Sequence, residues 1–232
     1  MQMNNVLLNS TTFGVVISLL AYQLGMYLKN KTKKAFVNPL LISIVLVILF
    51  LLAFDIDYET YNQSAKYLSF LLTPATVSLA IPLYQQLELL KKNMTAILLA
   101  ISAGVLTSLL SVLAMSVLFG LKHEEYVTLL PKSITSAIGM GLSEELGGYA
   151  TITMSVIIVT GIFGNIIAEF VCKLFHIKHP ISKGLAIGTS SHAMGTTKAM
   201  ELGQIEGAMS SLSIVVAGLM TVILASFFAM MY

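Results

Sequence analysis

Long apolar stretches without charged residues alternate with short polar segments along this chain. A helix that crosses a lipid bilayer needs about 20 apolar residues, so the pattern predicts six crossings. Their predicted bounds are Val6–Leu28, Asn38–Phe54, Tyr67–Leu87, Met94–Leu121, Tyr149–Ala168 and Gly207–Tyr232. The third crossing contains Pro74 and Pro82, which remove backbone donors and predict a kinked or unwound helix around Thr76. Freed carbonyls at that depth need partners, which favours a protein-lined cavity there.

Two polar segments, Thr135–Thr160 and Ser191–Val216, interrupt the apolar pattern and resemble each other. Their clearest match, at an offset of 56 residues, joins Glu145-Leu146-Gly147 to Glu201-Leu202-Gly203. Each copy consists of a polar, glycine-containing piece followed by an intact apolar helix. Repeated broken helices are typical of secondary transporters, whose substrate site lies between the repeats.

The composition agrees with a membrane protein. Apolar residues make up 56% of the 232 residues and charged residues 10%, and the mean hydropathy is +0.88. We interpret the first apolar stretch as a retained crossing, because no lysine precedes it and no small-residue cleavage site follows it. The single cysteine, Cys172, cannot form an internal disulfide, and we interpret it as a small buried residue.

Lysine supplies all 13 cationic residues, and its clusters at 29–34, 91–92 and 173–183 alternate with acidic loops. Because lysine-rich loops remain in the cytoplasm, both termini are predicted to lie outside. This orientation requires residues 129–148 to enter and leave from the outside, and residues 184–204 to enter and leave from the cytoplasm. Each segment is long enough for two half-helices that reach the bilayer midplane. In the alternative, both segments cross fully and the chain has eight crossings.

The predicted fold is therefore an all-α polytopic membrane protein with about six transmembrane helices and two re-entrant helical hairpins. Residues 1–125 form a predicted transmembrane scaffold, and residues 126–232 form a region built as an inverted repeat. The repeat and the lysine distribution are independent observations, and both indicate two hairpins in inverted orientation. Because many carriers assemble through such a scaffold, we expect a homodimer.

The hairpins carry hydroxyl residues before a glycine, and a helical stretch follows each glycine. The half-helix that starts there directs unpaired N–H groups and its positive dipole end into the protein. Two such ends near the midplane suit a small anion, particularly a carboxylate. The predicted substrate-binding residues are Ser133, Thr135, Ser136, Gly139, Ser191, His192, Gly195, Thr196 and, in the kinked third crossing, Thr76. In the alternative, these small and hydroxyl residues permit tight helix packing.

Four ionisable residues in or beside the hairpins are candidates for a charge or proton role. His192 can hydrogen-bond a carboxylate or carry a proton, or it can be a neutral ring bonded to a carbonyl. Lys132 either offers its charge to an anion or extends to the outer surface. Glu145 and Glu201 are either proton carriers or solvated carboxylates at helix ends, and Glu201 can pair with Lys198.

Other classes of chemistry lack their sequence signatures. The chain has no metal-ligand cluster, P-loop or dinucleotide fingerprint, so we predict no metal and no cofactor. No aspartate lies in a predicted crossing to orient a Ser–His pair, which argues against an enzyme that hydrolyses its substrate in the membrane. The lysine clusters follow from membrane orientation and do not indicate a nucleic-acid partner.

Several motifs occur in one order along the chain. They are Asn38-Pro39-Leu40, Pro74-Ala75-Thr76-Val77, Ala80-Ile81-Pro82-Leu83-Tyr84, Leu130-Pro131-Lys132-Ser133-Ile134-Thr135, Glu145-Leu146-Gly147-Gly148, Lys183-Gly184-Leu185, and His192 with Gly195-Thr196. With these motifs the chain resembles the LrgB/CidB family of bacterial membrane proteins over essentially its whole length. The motifs in both hairpins resemble CidB more closely than LrgB. The resemblance implies a location in the bacterial plasma membrane.

The resemblance implies two functions. One is a holin- or antiholin-like regulator of murein hydrolase activity and cell lysis, which acts with a small LrgA/CidA-like membrane protein. The other is a carrier of small organic acids, as in a related plastid protein that moves glycolate and glycerate. A holin-like pore has no need of inverted hairpins, whereas alternating access between two similar halves requires them. We therefore expect a facilitative or proton-coupled transporter of small monocarboxylates such as pyruvate, glycolate or lactate, with lysis regulation as the alternative.

Overall fold

The computed structural model describes residues 10, 12–32, 37–71, 74, 77–78 and 80–232. Within these residues all regular structure is helical, which confirms the predicted all-α fold. The chain forms two compact units, Met1–Ser78 and Leu79–Tyr232. The predicted site residue Thr76 lies outside the described residues. The division into a scaffold (1–125) and an inverted repeat (126–232) stays a prediction.

The described residues of the first unit form three α-helices and a short 3₁₀ helix. Its elements are α1 (Phe13–Thr32), α2 (Pro39–Ala53), α3 (Tyr58–Ala65) and a 3₁₀ helix (Lys66–Leu71). The side-chain oxygen of Asn38 caps α2 by accepting hydrogen bonds from the N–H groups of Leu40 (2.9 Å) and Leu41 (3.2 Å). Pro39 follows at the first helical position, where it loses no hydrogen bond. The sequence predicts the start of this crossing at the same Asn-Pro pair.

The second unit contains the longest of the described helices. In chain order its elements are α4 (Ala80–Gln85), α5 (Leu87–Lys92), α6 (Met94–Phe119), α7 (His123–Leu129), α8 (Ser136–Glu145), α9 (Ala150–Leu174), α10 (Pro180–Leu202) and α11 (Gln204–Ala229). Helices α6, α9 and α11 are each long and apolar enough to cross a membrane, and α2 is apolar but has 15 residues. The chain is therefore a polytopic membrane protein. The number of crossings and the side on which each terminus lies stay predictions.

Helix α6 has one stripe of buried residues and one stripe of exposed apolar residues. One stripe of α6 is buried against the rest of the unit, and it includes Ile97, Ile101 and Leu109. Another stripe, with Leu99 and Leu110, is exposed. An exposed leucine stripe on a long helix has no partner in water, whereas lipid tails are as apolar as leucine. The same helix therefore contributes to the core and to the surface that faces the bilayer.

The first predicted hairpin, residues 129–148, contains the turn segment 130–135 and α8. Helix α8 has 10 residues, which is too short for a bilayer crossing. Buried hydroxyls join this region to α9: Thr153 Oγ1 lies 2.9 Å from the carbonyl oxygen of Thr128 and 2.7 Å from Ser143 Oγ. These bonds satisfy polar groups that water does not reach. The re-entrant course of the segment stays a prediction.

The second predicted hairpin, residues 184–204, falls within α10, and this helix is broken. His192 has φ 42° and ψ −138°, which divides α10 into a first arm, residues 180–191, and a second arm, residues 193–202. The sequence predicts a break in this segment and attributes it to a glycine. The residue at the break is instead a histidine with positive φ, a backbone conformation that costs about 1–3 kcal/mol and persists only where its surroundings hold it.

Two glycines bring the first arm of α10 into backbone contact with α11. A Cβ atom on Gly188 would lie 2.5 Å from the carbonyl oxygen of Ser210 and 2.7 Å from Ser213 Cβ. A Cβ atom on Gly184 would overlap the carbonyl oxygen of Glu206. Small residues four apart allow this close approach between helices in a membrane. Glycine here serves packing, as the alternative interpretation of the hairpins proposes.

We expect Gly188→Ala to lower the free energy of unfolding by about 1–3 kcal/mol, because the methyl group forces α10 away from α11. The measurement is unfolding of the purified protein in detergent. Gly141→Ala is the matched control, since Gly141 is helical and a Cβ atom there meets nothing within 4 Å. The control is expected to be neutral or to stabilise by up to about 1 kcal/mol. Equal effects of the two substitutions would contradict the packing role.

Candidate functional site

A cavity of about 630 Å³ lies between α6, the turn segment 130–135 and the first arm of α10. Its volume is in the range of about 300–1,000 Å³ that small-molecule sites occupy. The described residues that line it are Asn93, Ala96, Ala100, Gly104, Thr107, Ser108, Ser111, Lys132, Ser133, His179, Ile181, Ser182, Leu185, Ala186, Thr189 and Ser190. The cavity therefore brings residues of both predicted hairpins to one place.

The charged group of this cavity is the Lys132 ammonium. Its Nζ atom donates to Ser108 Oγ at 3.1 Å and to Ser133 Oγ at 3.0 Å. The Ser108 hydroxyl in turn donates to Ser133 Oγ at 3.1 Å. Among the residues that the structure describes, no carboxylate pairs with Lys132. In its charged form this half-buried group has hydroxyl partners and no compensating charge beside it, and an anion is its natural counterion.

A second cavity, of about 450 Å³, lies on the other side of the first arm of α10, against α9. Lys132, Ala186 and Ser190 line both cavities, and Ser191 lines the second. The first arm of α10 is thus a partition between two cavities, and Lys132 reaches both of them. Of the predicted residues, Lys132, Ser133 and Ser191 come together around this partition.

The predicted site residues Thr135, Ser136 and Gly139 lie away from the two cavities, at the start of α8 and within it. Thr135 and Ser136 are half-buried at the start of α8, and Gly139 is buried. A Cβ atom on Gly139 would overlap Ile157 Cδ1 of α9. These three residues are not among the described residues that line the two cavities. Gly139 contributes the close packing of α8 on α9, and a binding role for the three residues stays a prediction.

His192 is 4% exposed, and its ring packs on Gly161 of α9. Its Nε2 atom lies 3.0 Å from the carbonyl oxygen of Ile157. Because a carbonyl only accepts, Nε2 carries a proton and donates it to this bond. This arrangement matches the interpretation of a ring bonded to a neighbouring carbonyl. His192 does not line either cavity among the described residues, so its role in binding or proton transfer stays a prediction.

Thr196 and Gly195 lie in the second arm of α10, where both are buried. Thr196 Oγ1 donates to the carbonyl oxygen of His192 at 3.0 Å and lies 2.7 Å from Ser210 Oγ of α11. A Cβ atom on Gly195 would lie 2.6 Å from Ser191 Cβ, so glycine allows the two arms to approach. The first bond ties the second arm to the residue at the break, and the second fixes the arm on α11.

The two predicted glutamates lie at exposed helix ends. Glu145 ends α8, and Glu201 lies in the last turn of α10. Lys198 Nζ is 3.3 Å from Glu201 Oε2 and 3.5 Å from Glu169 Oε2. Exposed pairs of this kind contribute about 0–1 kcal/mol. The geometry agrees with solvated carboxylates, and a proton-carrying role stays a prediction.

Sequence reasoning missed the contribution of α6. Ser108 contacts Lys132 directly, and Gly104, Thr107 and Ser111 line the same cavity. A signal was available, because small and polar residues recur every three or four positions in an otherwise apolar helix. This stripe consists of Asn93, Ala96, Ala100, Gly104, Thr107 and Ser111. Such spacing places them on one helix face.

We expect Thr196→Val and Ser210→Ala to be coupled in a double-mutant cycle. Their hydroxyls share a buried hydrogen bond, so the coupling energy should be about 0.5–1.5 kcal/mol in unfolding measurements. The control pair is Thr196→Val with Ser155→Ala, because the Ser155 hydroxyl bonds to Thr151 on its own helix. That pair should be additive within about 0.5 kcal/mol. Additivity of the first pair would contradict the bond.

Comparison with known proteins agrees with the motifs of the two hairpins. The LrgB-like family matches residues 18–231. The antiholin-like protein LrgB of Bacillus cereus strain B4264 is 39% identical over 217 residues, which are 93% of this chain and 94% of the relative. The protein of the same name from Bacillus anthracis strain A0248 gives the same values. No solved structure matches the chain. The chain belongs to the LrgB-like family.

Proposed function

We propose that this chain is the larger component of an antiholin-like membrane system and that its molecular activity is the passage of small monocarboxylates. The antiholin-like role rests on the relatives, which carry that name at 39% identity over 93% of the chain. The name supports the regulatory hypothesis more than the transport hypothesis that the sequence puts first. The transport activity rests on one observation, the uncompensated Lys132 ammonium in a cavity between the hairpins.

A carboxylate fits the chemistry of this cavity. The ammonium supplies the opposite charge, and charge-assisted hydrogen bonds are roughly twice as strong as neutral ones. Ser108 and Ser133 fix the position of Nζ, so the site is formed before the anion arrives. The apolar part of the acid then contacts small residues of α6 that line the cavity, such as Ala100 and Gly104. The cavity, at about 630 Å³, is larger than one small acid, so the charge of Lys132 rather than the fit of the walls would select the substrate.

The broken helix supplies a route for alternating access. The first arm of α10 separates the two cavities at Lys132, and movement of this arm exchanges the cavity that the ammonium faces. Arms of discontinuous helices perform this function in carriers built from repeats. A small LrgA-like membrane protein as partner, and a homodimer, belong to the same proposal. Flux of an organic acid across the membrane connects transport to control of lysis, so the two roles are compatible.

We expect Lys132→Gln to reduce uptake of radiolabelled pyruvate, glycolate and lactate into proteoliposomes by about tenfold or more, because one charge-assisted hydrogen bond is lost. Lys122→Gln is the matched control, since Lys122 is exposed beyond the end of α6. The control should transport like the wild type. Wild-type uptake by a folded Lys132→Gln protein would contradict the site.

The same assay separates the two hypotheses. A carrier moves the acid in vesicles that hold this chain alone or with its small partner, and the movement depends on Lys132. A regulator without transport activity shows no saturable uptake in either case, while control of lysis in cells survives Lys132→Gln. His192→Ala and Thr196→Val complete the set. If both variants fold and transport normally, the predicted contacts of these two side chains with the acid are wrong.

A further inference from the structure

A third cavity, of about 290 Å³, lies where α9 ends and α10 begins. Cationic groups dominate its wall, and Glu169 is the one carboxylate among the described lining residues. That carboxylate is paired with Lys173 at 2.9 Å and with Lys198 at 3.5 Å. The described lining residues are Glu169, Cys172, Lys173, His176, Ile177, Lys178, Lys183 and Leu202. The lining of this third cavity therefore carries a net positive charge.

This basic cavity adjoins the cavity of about 450 Å³ beside α9. Cys172 and Ile177 line both of them. At its other end the larger cavity is lined by Lys132, Ser190 and Ser191. The two cavities thus form a series that adjoins at Cys172 and Ile177, with the lysine-rich segment 173–183 at one end and the Lys132 ammonium at the other. The wall between these ends is mainly apolar, with residues such as Val159, Phe163 and Ile167.

We infer that this series of cavities is the entry route by which a small carboxylate reaches Lys132 from the side of the 173–183 segment. The inference rests on the transport activity proposed above and adds the path, the membrane face and the residues of the entrance. Clustered lysines raise the local concentration of anions, and low-dielectric walls focus their field along the path. An anion drawn in by Lys178 and Lys183 then meets no carboxylate among the described residues of the larger cavity before Lys132.

Cys172 makes the route measurable in the unmodified protein, because it is the only cysteine of the chain and lies at the junction of the two cavities. Methanethiosulfonates transfer their alkylthio group to a thiolate and release methanesulfinate. In detergent, the anionic sulfonatoethyl reagent should modify Cys172 about tenfold faster than the cationic trimethylammonium-ethyl reagent. Lys178→Gln with Lys183→Gln should bring the two rates together. Saturating pyruvate, glycolate or lactate should slow the anionic reagent.

Two variants serve as matched controls. In the Lys132→Gln protein, Cys172 should be labelled at the wild-type rate, but the acid should no longer protect it. The reagent can still enter the route, whereas the acid no longer binds at its inner end. Lys91→Cys in a Cys172→Ser background places the reporter at an exposed position outside the cavities. Its modification should be insensitive to the acids. Thermal unfolding with and without the acids, measured on each protein, reports folding and binding independently of labelling.

The outcomes distinguish the route from the function on which it rests. Charge-selective labelling with protection that requires Lys132 supports the route. Stabilisation by an acid without any effect on Cys172 labelling overturns the route and leaves the carrier proposal intact. Equal rates for the two reagents also overturn the route, because the lysines then do not attract anions to it. Neither stabilisation nor uptake for any of the three acids overturns the carrier proposal, and the route fails with it.

Discussion

The break in α10 is the constraint on which the candidate site depends. Inside a bilayer a helix satisfies its own backbone, so an interruption requires other protein groups to take over. Here the His192 ring donates to Ile157 of α9, and Thr196 donates to the His192 carbonyl and contacts Ser210 of α11. Three helices thus hold a residue with positive φ. These bonds surround the residue at which the first arm of α10, and with it the partition at Lys132, ends.

Packing and function use the same few residues. Gly184 and Gly188 bring the first arm of α10 onto α11, while other residues of the arm line two cavities. Ile181 and Leu185 of the same arm belong to the buried core that includes Ile97 of α6, so the arm is packed on two helices while it borders the cavities. The antiholin-like name of the relatives describes an outcome in the cell, and the cavity around Lys132 describes a molecular property. A membrane protein that moves an acid accommodates both descriptions.

The sequence predicts much of this fold, and its failures have physical reasons. Composition and apolar length predict helices α6, α9 and α11, because bilayer thickness imposes a length on the pattern. The break in α10 is predicted as a segment but assigned to glycine, because local sequence does not tell whether a glycine bends the chain or admits a neighbouring helix. Gly188 admits α11, and Gly195 admits the first arm of its own helix. Ser108 is missed, because its contact with Lys132 joins residues 24 positions apart and no local pattern contains it.

The hydroxyl partners of Lys132 carry a further consequence, which follows from counting protons. An ammonium has three N–H donors, and two of them point to Ser108 and Ser133. The Ser108 proton is also committed, since it is donated to Ser133. In the described part of the chain, one ammonium N–H and the Ser133 O–H are left over. A carboxylate has two oxygens, so it can occupy this pair of vacant donors while every existing hydrogen bond of the triad stays in place.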